Sequence, residues 1–117
     1  MSSEPEDLVV RQHEDITVVR IKTENLSGIL DIERITRELT AIVEGDVRKL
    51  ILDLKYTRFF SSSALGMLIA LAQILNRKGG QLVISHPEHI LPLLKITRVG
   101  NLFQIADDPK AASKLFK

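Results

Sequence analysis

The chain of 117 residues has no cysteine, which excludes disulfides, thiolate nucleophiles, thiol redox switches and zinc sites built on thiolates. That absence fits a reducing cytoplasm. Aromatic residues make up only 4%, so a core has to come from Leu, Ile and Val. Charge of one sign is also missing. Sixteen Lys and Arg face fifteen Asp and Glu, a net charge of +1, and no basic block is interleaved with aromatics, which argues against a nucleic-acid partner. No apolar run is long enough for a bilayer: Ala64 to Leu75 is broken by Gly66 and Gln73, so membrane insertion is not expected. Residues 1–7 are polar and acidic and lack the basic start and apolar stretch of a secretion signal. They are expected to form a flexible tail, with residues 8–117 as one domain, near the commonest domain size.

Within that domain Leu8-Val-Val and Ile16 to Ile21 are rich in β-branched residues and predict a hairpin across the polar stretch Arg11 to Asp15. Asn25 to Gly28 reads as a bend. Ile32, Ile35, Leu39, Ile42 and Val43 recur at helical spacing, with Asp31 placed to cap the start and Gly45 to mark the end. Leu50 to Leu54 is an apolar run with one carboxylate, as in a central strand buried on both faces. A second helix fills one face with Ala64, Leu65, Leu68, Leu71 and Leu75 and stops at Gly79-Gly80. With the strand Gln81 to Ser85 it completes a parallel βαβ unit. Pro87 is expected to open a helix near Glu88 to Leu94, with Pro92 in its first turn or breaking it. Leu102 to Ile105 reads as a short strand, and Asp108-Pro109 as the cap and first residue of a last helix.

The segment with chemical content is Phe59-Phe-Ser-Ser-Ser-Ala-Leu-Gly66, between the central strand and its crossover helix. Partner and ligand sites in α/β folds gather at the carboxyl ends of parallel strands. Three serines there place hydroxyls and free N–H groups at the positive end of a helix dipole. Capping by Ser61 or Ser62 accounts for a serine in this place on structural grounds alone, and is compatible with modification of the same segment.

Lys49-Leu-Ile-Leu-Asp-Leu, the serine segment, Gly79-Gly-Gln-Leu-Val-Ile and Leu94-Lys-Ile-Thr-Arg-Val-Gly-Asn-Leu-Phe-Gln-Ile stand in an order that resembles the STAS domain of bacterial anti-sigma factor antagonists. Leu26-Ser-Gly-Ile-Leu-Asp31 matches the family's Leu-Ser-Gly-x-Leu-Asp. The resemblance covers residues 8 to 106 and implies a single α/β domain of the SpoIIAA-like kind, with a mixed sheet of four to five strands and helices mainly on one face. It further implies a non-enzymatic, cytoplasmic regulator of transcription without a cofactor. Such a regulator binds an anti-sigma factor serine kinase, is released when a serine is phosphorylated, and is restored by a metal-dependent phosphatase. Alignment on Leu65 and Gly66 puts Ser62 at the phosphorylated serine, with Ser61 and Ser63 as alternatives. Two residues depart from the family pattern: Ser61 replaces an acidic residue and Ala64 a glycine. The first motivates a second reading, a module that binds constitutively as a scaffold or transporter-associated subunit.

The resemblance makes Asp31, Asp53, Arg58, Ser61, Ser62, Ser63, Ala64 and Leu65 candidates for the partner surface. Asp31 is equally explained as a helix cap, Asp53 needs either an outward position or a hydrogen-bonding partner, and Arg58, like Lys55, flanks the serine loop where it could attract a phosphate or an acidic partner, although such residues are more commonly solvated loop charges. His86 and His89 have a chelating interval, but Pro87 lies between them and no third ligand is evident, so no metal site is expected. Ser62 lies in no Gly-x-Ser-x-Gly elbow, which argues against a small hydrolase.

Overall fold

The computed structural model describes residues 8–93 and 103–116. In chain order the elements are β1 (Leu8–His13), β2 (Ile16–Ile21), β3 (Asn25–Leu26), α1 (Ile29–Glu44), β4 (Lys49–Asp53), β5 (Phe59–Phe60), α2 (Ser62–Arg77), β6 (Gln81–Ser85), β7 (Gln104–Ala106) and α3 (Pro109–Ser113). Five strands form one sheet in the order β1-β2-β4-β6-β7, so β4 is central as its composition predicts. The β1–β2 pair is antiparallel and the other pairs are parallel.

Strand β1 runs three residues further than its apolar start suggests. Arg11, Gln12 and His13 pair with Val18, Thr17 and Ile16, while their side chains stand exposed on an edge strand where polar residues cost nothing. Glu14, at φ 56°, supplies the positive φ of a two-residue hairpin connection. At the same end Lys49 pairs with Asp15 at 2.7 Å, and this bond holds the Asp15 carboxyl below its ordinary value of 3.8.

The two faces of the sheet are covered unequally. Leu50 and Leu52 of β4, Leu82 and Ile84 of β6, and Val19 and Ile21 of β2 pack with Ile35, Leu39 and Val43 of α1 and with Leu68, Leu71 and Leu75 of α2. Each such buried aliphatic side chain contributes about 1.5–3 kcal/mol of transfer free energy. On the other face Ile16, Ile51 and Val83 meet Ala112 of α3, with Val18, Leu115 and Phe116 around them. Only the short α3 covers that side among the described residues, and it packs on β4, β6 and β7.

Some boundaries differ from expectation. Gly28, not Asp31, is the N-cap of α1, and no side chain caps that end. Asn25–Leu26 is not only a bend: it pairs in parallel with Phe59–Phe60. After Pro87 the chain makes a turn, and the helix begins only at Leu91, with Pro92 inside its first turn. Leu94, the last residue of the expected helix, lies outside the described residues, as does Leu102 of the last expected strand, which begins at Gln104. Asp108 caps α3 as predicted, its Oδ1 accepting from the Ala111 N–H at 2.7 Å.

The end of α2 is tied to α1. Lys78 donates through Nζ to the carbonyls of Val43 and Gly45, supplying partners to carbonyls at the end of α1. Gly79 takes φ +78°, and a Cβ on Gly80 would lie 2.2 Å from the Arg48 carbonyl oxygen. Gly66, inside α2, faces open space with no atom within 4 Å of a Cβ. Gly80→Ala should therefore lose about 1–3 kcal/mol or more through overpacking against backbone. Gly66→Ala should gain about 1 kcal/mol from helix propensity. Urea denaturation of the two variants reads the difference in sign directly.

Candidate functional site

The site is built where the chain leaves β4 and enters α2. Thr57, which is buried, donates its hydroxyl to the Thr23 carbonyl at 2.9 Å. The N–H groups of Arg58 and Phe59 both reach the Glu24 carbonyl, at 2.8 and 3.1 Å, and the Ser61 N–H reaches that of Leu26 at 3.2 Å. These bonds and the β3–β5 pairing fix the segment before α2 against the segment before α1. Ser61 is the N-cap: its backbone is extended, at φ −85° and ψ 167°, and its Oγ accepts from the Ala64 N–H at 3.1 Å. Ser62 and Ser63 become the first two residues of α2 and are exposed.

Around them lies apolar surface. Ile29 and Leu30, at the start of α1, are 76% and 77% exposed, and Phe59 is 60% exposed. All three follow from the same stitching, since Phe59 stands opposite Asn25 and Ile29 comes three residues after Leu26. Single exposed apolar residues need no explanation, but several at one end of a domain mark a contact surface. Phe59 is exposed as an aromatic beside the serine loop can be, but sequence periodicity misses Ile29 and Leu30. Ile29 continues the buried stripe of α1 by its spacing from Ile32, yet as the first helical residue it overhangs the end of the core.

The family model of the STAS domain matches residues 7–112. The chain belongs to the STAS domain family. A Bordetella bronchiseptica relative named as a candidate anti-sigma factor antagonist, BtrV, is 29% identical over 86 residues, which cover 73% of this chain and 74% of that protein. The crystal structure of a candidate anti-sigma factor antagonist from Thermotoga maritima superposes with a TM-score of 0.83 at 16% identity, covering 93% of both chains. The Bacillus cell fate determinant SpoIIAA in its phosphorylated form superposes with a TM-score of 0.69 at 16% identity, covering 92% of this chain and 98% of that one. At such identities the two structures speak for the fold: a STAS, SpoIIAA-like domain with a mixed five-stranded sheet.

Within this STAS domain the candidate residues separate. Ser61, Ser62, Ser63 and Arg58 lie together in the segment from β5 into α2. Asp31 sits in the first turn of α1, bonded to Arg34 at 2.8 Å, and shares that end of the domain. Ala64 and Leu65 do not offer side chains to a partner, because they are buried in the core beneath α2. Asp53 is also not a surface residue. Its carboxylate is 0% exposed and accepts from Arg20 Nε at 2.7 Å, from the Ser85 hydroxyl at 3.1 Å and from the Lys55 N–H at 3.3 Å. Arg20, Asp53 and Ser85 are in lateral register on three adjacent strands, on the face that carries Ile51 and Val83. His86 Nε2 stands 4.0 Å from the same carboxylate and its Nδ1 3.7 Å from Glu88. No cluster of three or more His, Asp or Glu side chains suited to a metal occurs among the described residues.

Two stability predictions follow from this geometry. Ser61→Ala should cost about 0.5–2 kcal/mol through loss of the cap, and Ser62→Ala less than about 0.5 kcal/mol as an exposed surface change; thermal denaturation of both variants would show the reverse order if Ser62 were the cap. Asp53→Ala leaves Arg20 without its carboxylate and should cost about 3 kcal/mol, the lower end for a broken buried pair because Arg20 keeps 31% of its side-chain exposure. Asp53→Asn should lose less, and urea denaturation ranks the two.

Proposed function

We propose that the protein is an anti-sigma factor antagonist that works by partner switching. Unmodified, it binds an anti-sigma factor serine kinase in the cytoplasm; phosphorylation at Ser62 ends that complex, and a metal-dependent phosphatase restores it. The observation that carries this reading is the division of labour at the start of α2. Ser61 makes the cap, which leaves Ser62 exposed at the end of the domain where the segments before α1 and α2 are joined, the end that also carries exposed Ile29, Leu30 and Phe59. Position 61, acidic in the resembling family, is thus a cap position, where serine and aspartate serve about equally well. Replacement of the acid therefore leaves the local backbone intact. The name of the Bordetella relative supports the same reading.

The physical basis of the switch is electrostatic. A phosphate on Ser62 brings nearly two negative charges and three acceptor oxygens to the N-terminus of α2, whose dipole tolerates them. A partner fitted to a neutral hydroxyl and to apolar Leu30 and Phe59 would instead have to desolvate that charge. The protein acts by binding and needs no cofactor of its own; ATP belongs to the kinase.

Incubation with the cognate kinase and ATP, followed by mass spectrometry and calorimetric binding before and after, tests the proposal. The expected result is phosphate on Ser62 and at least ten-fold weaker binding afterwards. Ser62→Ala should bind without being modified. Leu30→Ala and Phe59→Ala, both at exposed positions, should each weaken binding ten-fold or more with no loss of stability. If no phosphate appears on Ser61, Ser62 or Ser63 while Ser61→Asp restores it, the acid is indispensable to transfer and the constitutive scaffold or transporter-associated reading replaces the switch.

A further inference from the structure

Among the described residues, the sheet face opposite α1 and α2 is uncovered on its β1–β2 side, and a groove runs along it. One part, about 310 Å³, is lined by Val9, Arg11, His13, Val18, Arg20 and Pro109 among others. A second part, about 260 Å³, shares His13, Val18 and Pro109 and continues past Ile16 and Ile51 to Lys110. The floor is aliphatic and the rim is cationic, and among the described residues that line it none is an Asp or Glu. Val9 stands opposite Arg20, and Arg11 opposite Val18, so Arg11 and Arg20 are diagonal neighbours on one face of the pair. Asp53 already compensates Arg20, 2.7 Å from its Nε, so the uncompensated charge of the two is that of Arg11. Arg20 donates Nε to Asp53, and Arg11 has no ion pair among the described residues.

Charged residues on an edge strand also serve to prevent sheet-to-sheet pairing, which accounts for Arg11 and His13 but not for the rest. Arg20 lies on the inner strand β2, where Asp53 accounts for its charge, and Lys110 lies on α3, away from the edge. The concavity itself, at the low end of small-molecule sites in volume, is likewise unrelated to edge protection. From Arg20 to Ile16 the groove follows four residues of β2, roughly 13 Å at the rise of a strand. Arg11 and Arg20 mark one end, and beyond them the floor is aliphatic with His13 and Lys110 on the rim.

We propose that this groove binds a carboxylate carried on a medium-length alkyl chain. Arg11 is the main holder of the carboxylate, a planar group that a guanidinium fork matches, with Arg20, already engaged by Asp53 and lying over the Tyr56 ring, beside it. Val18, Ile16, Ile51 and Pro109 receive the chain, whose burial supplies the apolar part of the affinity. The site is on the opposite face from Ser62 and does not rest on the partner-switching reading.

The test is a titration of the full chain with octanoate, below its aggregation concentration, followed by amide chemical shifts, with octanol and octylamine as controls. Saturable shifts at Arg11, Val18 and Lys110 are expected, with octanoate binding at least ten-fold tighter than octanol and octylamine weakest. Arg11→Glu should reduce octanoate affinity ten-fold or more with an unchanged thermal midpoint; Lys110→Glu, at an exposed position on α3, provides a second charge reversal with a smaller loss. Absence of saturation, equal binding of octanol and octanoate, shifts confined to other surfaces, or full affinity in folded Arg11→Glu would each overturn the proposal. Displacement of octanoate by no concentration of decanoate would overturn it as well, since one groove cannot hold both chains.

Discussion

The fully buried carboxylate of Asp53 is the constraint around which the molecule is arranged. It ends the central strand, and a charge so placed is tolerable only if its oxygens are filled with donors. Arg20 from β2, Ser85 from β6 and the Lys55 N–H provide them. The three strands are thereby locked in lateral register at their carboxyl ends. Immediately after this knot the chain turns into the segment that leads to Ser61. The serine end of α2 hangs from a point that cannot slide, and the stitching of Thr57, Arg58, Phe59 and Ser61 onto residues 23–26 completes its placement.

This arrangement gives the domain two unlike faces. On one, α1 and α2 cover the sheet and end in a polar cap ringed by exposed Ile29, Leu30 and Phe59. On the other, α3 leaves the β1–β2 half uncovered among the described residues, with a cationic rim over aliphatic residues. Arg20 has two roles on this second face, since its Nε serves Asp53 and its side chain lines the groove.

The long elements were legible in the sequence because each is written in a strong period or composition. Leu50 to Leu54 reads as a doubly buried strand, α2 carries a broad aliphatic stripe, and Gln81 to Ser85 lies where the pattern puts it. Asp108-Pro109 states its own cap. What could not be read depends on contacts remote in sequence. The β3–β5 pairing has two residues on each side, too few for any periodicity, and exists because Thr57 and Ser61 reach residues 23–26 across about 34 positions. Asp31 has the chemistry of a cap, but Gly28 already has the extended backbone, so Asp31 falls into the first turn. Asp53 carries a charge that by residue type belongs at the surface; only the positions of Arg20 and Ser85, on other strands, explain its burial. Ala64 and Leu65 match a motif whose neighbours are exposed, yet helical geometry turns these two inward.

The two long helices also begin with different charges. In α1 the first turn contains Asp31, whereas α2 has no acidic residue in its first turn and is capped by a neutral serine. The positive end of α1 is therefore compensated from within the chain, and that of α2 is not. A dianion attached there would meet a dipole unopposed by any resident carboxylate, an attraction of up to about 2 kcal/mol in favourable geometry. Under the proposed modification the phosphorylated chain would be the more heat-resistant of the two forms, so the signal would be held as extra rigidity at the very helix that has let its partner go.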